Sequence, residues 1–418
     1  MSAGVGAAKI VFVNRYFYPD QSATSQLLTD LAQALAKSGF TVHVICSRQR
    51  YGDPGARLPP QESTGGVTVH RIWTTRFGRD RLLGRALDYA SFYGSSAVAM
   101  LRLLRRGDTV IAKTDPPLIS IVAMAAAKIR GARLVNWLQD IFPEVASLLG
   151  ANPLPRPLDA LLRRCRDLSL RSAHMNVVLG ERMRERLLGL EVPENRIEII
   201  ENWAESSQEA PKEASHSILR AKIALMDKFV VGYSGNLGRA HEFQTLLGAA
   251  EVLQDDGEIV FLMIGGGAGM LKLSKATAEL GLKNFLFLPY QPRENLWDSL
   301  AASDVHWVSL LPELEGLIVP SKIYGILAAA RPTVFIGNPD GELAHTIRAG
   351  ECGVTVALGD IDALVGAVRH LKNDPAHRSR LGSNAYRHYC EHYSAPRAFD
   401  RWAGILRRAN LVPGARAP

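Results

Sequence analysis

Short, nearly continuous runs of Val and Ile alternate along this chain with longer stretches in which Leu recurs every three or four positions. The first run, KIVFVN (9–14), leads through a loop, YFYPDQ, into a helix predicted from Ser22 to Ser38. There Leu27, Leu28, Leu31 and Leu35 share one face, Ser22 is placed to cap the start and Gly39 to end it. Further apolar runs follow at 41–47, 67–73, 109–114, 133–140, 175–180 and 196–203. A polar stretch without an apolar run, ESSQEAPKEASHS (205–217), interrupts the pattern. A second series then begins at 229–235 and continues at 259–267, 284–290, 305–311, 332–337 and 353–358. Strands that are apolar at every position are buried on both faces, which calls for parallel sheets covered by helices on either side. The expected architecture is therefore α/β. A doubly wound domain over 1–204 is joined by a linker (205–217) to a second over 218–394. The helical tail 395–418 is expected to pack back on the first. Ligands of such sheets bind at the carboxyl ends of the strands, here facing an expected cleft between the two halves.

Composition narrows the class. The 418 residues are 47% hydrophobic and 22% charged, the balance of a soluble globular protein and not of a disordered or fibrous one. Cys46, Cys165, Cys352 and Cys390 are scattered without a C-x-x-C pair, which argues against a disulfide framework or a structural zinc site and fits a reducing cytoplasm. The first eight residues are small and neutral, unlike a secretory signal. The longest apolar run, Leu118 to Ala127, is too short to span a bilayer.

Charge changes the picture more. Residues 1–200 carry 27 Lys and Arg against 17 Asp and Glu, whereas the remainder carries 22 against 24. The surplus peaks from Arg71 to Arg106, with eight Arg against two Asp. An anionic partner or a solvated face both account for it. Within this stretch lies LLGRALDYASFYGSSAVAMLRLL (82–104). Its Tyr89, Phe92, Tyr93 and Met100 are flanked by Arg79, Arg81, Arg85, Arg102, Arg105 and Arg106. That reads as a helix lying on an anionic membrane surface, or as one packed on the sheet.

Five segments carry candidate chemistry. In YSGNLGRAHE (233–242), Gly235 and Gly238 let backbone amides approach an anion at a strand–helix turn, with Arg239 and His241 as added donors; an ordinary turn is the rival reading. IGGGAG (264–269) reads as a tight strand–helix turn. In ELEGLIVPSKIYGILAAARPTVF (313–335), Pro320 is expected to start a helix with Ser321 and Lys322 in its first turn. A lysine there opposes the helix dipole unless it holds an anion such as a diphosphate. In NWLQDIFPE (136–144), Asp140 follows Gln139 at a strand's carboxyl end and is suited to acid–base work, to orienting a hydroxyl, or to capping. In NRYFYPDQSATS (14–25), Asn14, Tyr16, Tyr18, Ser22 and Thr24 suit a sugar or lipid-linked acceptor, with core aromatics as the alternative.

Taken together, RYFYPDQSATSQLLTDLA, WLQDIFPE, IIENWAE, YSGNLGRAHE, IGGGAG and VPSKIYGILAAARP resemble, in order and over nearly the whole chain, the family 4 glycosyltransferases. The likeness is to the bacterial colanic-acid and O-antigen branch with fucosamine-type transferases. The resemblance implies the GT-B fold, two Rossmann-like domains across a cleft. It implies retaining transfer of a hexosyl or N-acetylhexosaminyl group from a nucleotide-sugar, UDP-linked, with no cofactor and no metal. The acceptor would be a lipid-linked sugar of undecaprenyl-diphosphate type in cell-surface polysaccharide synthesis, and the enzyme cytoplasmic and peripheral on the inner membrane face.

Residue by residue, Gly235, Asn236, Leu237 and Gly238 would face the donor phosphates with Arg239. Lys322 matches the phosphate-contacting lysine, beside Val319, Pro320 and Ser321. Tyr290 and Gln291 would lie by the base, and Asp140 near the sugar. The chain departs from the pattern where many members carry two glutamates, here Leu317 and Gly325; Glu315 is the nearest acid to take the ribose. It also departs at Asn236 and His241, where Arg and Lys are common. A nucleotide-sugar 2-epimerase of the same fold and a non-catalytic scaffold are the alternatives. A nucleic-acid partner is not expected, since no recognised module is present.

Overall fold

The computed structural model describes residues 8–51, 53, 55–78, 82–150, 154–204 and 211–410. Of the segments read above, the first seven residues, Arg79, Arg81, part of the linker (205–210) and the tail beyond 410 lie outside them. The chain divides into two compact units, Met1–Glu201 with Ala398–Pro418, and Asn202–Arg397.

The first unit is built on an eight-stranded sheet: β1 (Ile10–Val13), β2 (Val42–Ser47), β3 (Gln61–Thr64), β4 (Val67–Ile72), β5 (Thr109–Lys113), β6 (Arg133–Trp137), β7 (Met175–Val178) and β8 (Ile197–Ile199). Their order is β3-β4-β2-β1-β5-β6-β7-β8. β1, buried at all four positions, lies parallel between β2 and β5. The edge strand β3 runs antiparallel to β4, and the apolar pattern gives no sign of it because its four residues, QEST, are polar. Its signal is the Gly65-Gly66 turn, where φ values of +56° and +81° give the primed turn that joins twisted strands.

Helices α1 (Ala23–Lys37), α2 (Leu82–Leu103), α3 (Ile119–Arg130), α4 (Glu144–Leu148), α5 (Arg156–Ser172) and α6 (Glu181–Gly189) cover this sheet. α1 ends as its sequence predicts, with Gly39 at φ +88°. Ser22 occupies the cap position, but its hydroxyl is turned to Asp20 Oδ1, 2.5 Å away, and makes no capping bond.

The second unit holds a six-stranded parallel sheet: β9 (Phe229–Asn236), β10 (Ile259–Gly266), β11 (Phe285–Leu288), β12 (Val305–Ser309), β13 (Thr333–Ile336) and β14 (Gly353–Val356), ordered β11-β10-β9-β12-β13-β14. The strand order reverses at β9, which places the carboxyl ends of β9, β10 and β12 around one point. The helices are α7 (Ile218–Lys222), α8 (Gln244–Val252), α9 (Ala268–Glu279), α10 (Leu296–Ala301), α11 (Lys322–Ala328), α12 (Glu342–Gly350), α13 (Ile361–Asn373) and α14 (Pro375–His388). The last helix, α15 (Ala395–Asn410), spans the division between the units. From Ala398 it belongs to the first, where Trp402 is fully buried with its ring 5.0 Å from that of Trp137. Among the described residues no helix is long and apolar enough to cross a membrane.

Candidate functional site

In the second unit the tips of β9 and β10 run side by side, Gly235 opposite Gly265 and Asn236 opposite Gly266. Gly265 has φ +129°, and a Cβ there would lie 2.1 Å from the Gly235 carbonyl oxygen, so only glycine lets the two tips meet. Gly235, at φ +126°, clears space of another kind: a Cβ would lie 3.0 Å from Lys322 Cε. The lysine side chain thus crosses over a bare stretch of main chain.

Lys322 is the first residue of α11, with Ser321 at the cap and no acid in the first turn; Pro320 precedes the cap and does not itself begin the helix. Burial lowers the Lys322 ammonium to about 8. Its Nζ lies 3.2 Å from His241 Nε2 and 5.2 Å from the centre of the Tyr233 ring. His241 Nδ1 is 2.6 Å from the Ser309 carbonyl, a group that only accepts, so Nδ1 carries the proton and Nε2 accepts from Lys322. Burial, and then Lys322, hold His241 down at about 4, so the ring stays neutral at pH 7. Sequence reading offered His241 as an added donor to an anion; toward Lys322 it is instead the acceptor that aims a cation. The Ser309 hydroxyl donates to the Glu242 carbonyl (2.6 Å), tying this histidine's loop to β12.

The other positions nominated from sequence divide. Gly238 is half-buried and Asn236 and Arg239 are exposed around the turn. Leu237 is not available to an anion. Its side chain is fully buried in the core and its N–H is bonded to the Gly266 carbonyl at 2.8 Å. Tyr290 is exposed and its ring edge lies 3.1 Å from a Cβ on Gly266, beside the glycine tips. The Gln291 amide donates to the Pro289 carbonyl (3.0 Å). Val319 is half-buried, Pro320 buried and Ser321 exposed before α11. Glu315 Oε2 accepts the Glu342 N–H (3.2 Å) at the start of α12, so this carboxylate has a structural task. Where relatives of the pattern carry glutamates, Leu317 is buried, and a Cβ on Gly325 would lie 3.6 Å from Leu300 Cδ1.

In the first unit Asp140 lies three residues beyond β6, lining a cavity of about 20 Å³ with Thr114, Leu138, Ile141, Arg166 and Leu170. Burial, and then the neighbouring Asp115, raise its carboxyl to about 6, against the pull of Lys113. Lys113 is a residue that sequence reading missed. It ends β5 fully buried, with Nζ 3.6 Å from the centre of the Trp137 ring. Burial drives its amine well below the usual lysine range, while Asp115, Asp30 and Asp140 pull it up. Arg166 was also missed. Its guanidinium bonds both Glu144 oxygens (2.9 and 2.7 Å) and the Phe142 carbonyl (2.7 Å), clamping the turn that carries Asp140. That pairing, against the cost of burial, holds the Glu144 carboxyl below its ordinary range. A signal did exist for Lys113, a charge closing the apolar run TVIAK; for Arg166 there was none, since its helix is rich in arginine.

The loop 14–25 is less open than its sequence promised. Asn14 is buried and donates to the Tyr16 carbonyl (2.7 Å), and Tyr16 and Phe17 are core residues. Tyr18 is half exposed, whereas Ser22 and Thr24 are partly buried.

Two family models match the chain. "Glycosyl transferase 4-like domain" covers residues 23–203 and "Glycosyl transferases group 1" covers 216–388. WcaI of Escherichia coli (strain K12), assigned as a colanic acid biosynthesis glycosyl transferase, is 25% identical over 89% of this chain and 94% of its own. WbjE of Pseudomonas aeruginosa, named as a glycosyltransferase, is 29% identical over 65% of this chain and 68% of its own. Among solved structures, Anabaena Alr3699/HepE in complex with UDP and glucose superposes with a TM-score of 0.71 at 16% identity, covering 96% of this chain and 100% of that one.

Proposed function

Because the chain belongs to the family 4 glycosyltransferases, enzymes of GT-B fold, we propose that it transfers a sugar from a UDP-linked donor to a lipid-linked precursor of a cell-surface polysaccharide. Transfer proceeds with retention, without a metal, and at the inner face of the membrane where such a precursor is held. The name of WcaI supports the polysaccharide reading, and HepE, solved in complex with UDP and glucose, supports the donor.

The observation that carries the proposal is Lys322: an ammonium at the start of a helix, laid over the bare backbone of Gly235. In the reaction the bond between the anomeric carbon and the diphosphate oxygen breaks, and a bond to the acceptor oxygen forms. Negative charge collects on the leaving diphosphate, which takes up the acceptor's hydroxyl proton. Lys322, Arg239 and main-chain N–H groups of the glycine tips stabilise that charge where it develops. His241 holds the ammonium in place before the donor arrives, so little reorganisation is left for the reaction step. Asp140 orients a sugar hydroxyl.

Lys322→Ala is expected to lower turnover by about 10²–10³-fold with the fold intact. Incubation of UDP-sugars with a lipid-linked acceptor, products read by mass spectrometry, tests this. Near-normal turnover in that variant removes the assigned role. A changed nucleotide-sugar formed without acceptor favours the epimerase.

A further inference from the structure

Helix α2 is apolar on two opposite sides. Phe92 and Met100, which the sequence suggested for membrane contact, are fully buried in the core with Ile119, Ala123 and Ala126 of α3. Tyr93 is likewise engaged, donating to the Pro117 carbonyl, and Tyr89 lies under the Arg15 guanidinium at 5.1 Å. The side turned away from the sheet is another set of residues. Leu83, Leu87, Ala90, Gly94 and Val98 follow one another at steps of three or four; Leu83 (81%), Leu87 and Val98 are exposed and Ala90 and Gly94 at least partly so. They form a stripe about 22 Å long. No charged side chain interrupts it, since the one acid from Arg85 to Gly107, Asp88, is buried.

Two more exposed aromatics, Trp73 (64%) and Phe77 (63%), lie on the segment joining β4 to α2. Asp88 fastens that segment to the helix. It accepts the Thr75 hydroxyl at 2.7 Å and the N–H groups of Phe77 and Gly78 at 3.0 and 3.2 Å. Phe77 is seated against the first turn, its Cβ 2.7 Å from where a Cβ on Gly84 would be.

Among the described residues the exposed charges flanking the stripe are arginines. Arg76, Arg85, Arg102, Arg105 and Arg106 have no acidic partner among the described residues. By contrast, Arg163, Arg166, Arg171, Arg182 and Arg184 of the same unit are each paired with Asp or Glu. Arginines without an acidic partner therefore flank both ends of an exposed apolar helix face. A second copy of this chain docked there would set arginine against arginine. An anionic bilayer satisfies both features, apolar residues entering the acyl boundary and arginines meeting lipid phosphates.

We propose that the outward face of α2, with Trp73 and Phe77, docks this protein on an anionic membrane. This deepens the reading of a membrane-held acceptor, and its test does not depend on transfer. Full-length protein is floated with vesicles of phosphatidylcholine alone or with phosphatidylglycerol added. Wild type is expected to float only with the anionic vesicles and to be released by salt. L83E/L87E should weaken binding at least tenfold, and R102Q/R105Q/R106Q by roughly fivefold per arginine removed. Helix content by circular dichroism and the melting transition of the first unit should be unchanged in both and report an intact fold there, and UDP affinity measured in solution should be unchanged as well. Failure of the wild type to float at low salt overturns the proposal, as does undiminished flotation of both variants. Light scattering that shows a wild-type dimer abolished by L83E/L87E overturns it in favour of self-association. Transfer to a detergent-solubilised acceptor is a separate measurement, so the enzymatic reading can fail while docking stands, and the reverse.

Discussion

At the scale of single residues, the site's charged groups are held where burial works against them. Lys322 titrates near 8 in place of its ordinary 10.5. Between those values the unfolded chain holds the proton and the folded chain does not, so stability rises with pH across this window and the buried ammonium is a cost below it. Lys322→Met should therefore raise stability at pH 7 by about 1–3 kcal/mol while weakening donor binding at least tenfold; calorimetry on both proteins reads this. UDP affinity should be flat below pH 8 and fall by up to tenfold per unit above it, and the variant's profile should lose that step. Asp140 is the mirror case. Its carboxyl, raised from 3.8 to about 6, favours the folded state at low pH, a contribution lost as pH rises through 6. Asp140→Asn is expected to be at least as stable as wild type at pH 7 and to transfer sugar far more slowly. Rates and melting curves moving in the same direction would make Asp140 a structural residue only.

At the scale of elements, the glycine tips decide whether there is a site at all. Gly265→Ala puts a methyl 2.1 Å from the Gly235 carbonyl oxygen at φ +129°. It should cost about 2–4 kcal/mol and weaken UDP binding together with stability, as denaturation and binding titrations would report. Here the sequence was legible in one sense and opaque in another. Thirteen apolar runs became strands: those buried at every position, such as β1, β5 and β12, need no partner information to be recognised, and β4, with alternate positions buried, still shows its apolar half. β3 escaped because polar edge strands have no apolar signature. The glycine turn and Lys322 were visible as motifs, but the partnership of Lys322 with His241 was not, since it spans 81 positions and exists only once β9, β12 and α11 are packed. For the same reason Leu237, inside the motif, turned out to be core, and Phe92 and Met100 faced inward: periodicity marks an apolar residue without saying which of two apolar sides it serves.

At the scale of the whole molecule, the first unit is made of two stretches of chain separated by the second. Trp402, near the end of the sequence, fills a fully buried position beside Trp137 of β6, and Leu406 is equally buried. Trp402→Ala is expected to cost about 3–5 kcal/mol, and to lower the melting transition of the first unit while leaving UDP binding by the second in place. Equal shifts in both would mean that the units melt as one. Where the chain enters and leaves the second unit, Ala204 pairs with Ser394 and Tyr389 hydrogen-bonds the Ala204 carbonyl. Entrance and exit are thus stitched side by side. On the ribosome the second unit can fold before the first has received its closing helix. In the laboratory it can be excised or exchanged as a cassette through a single seam.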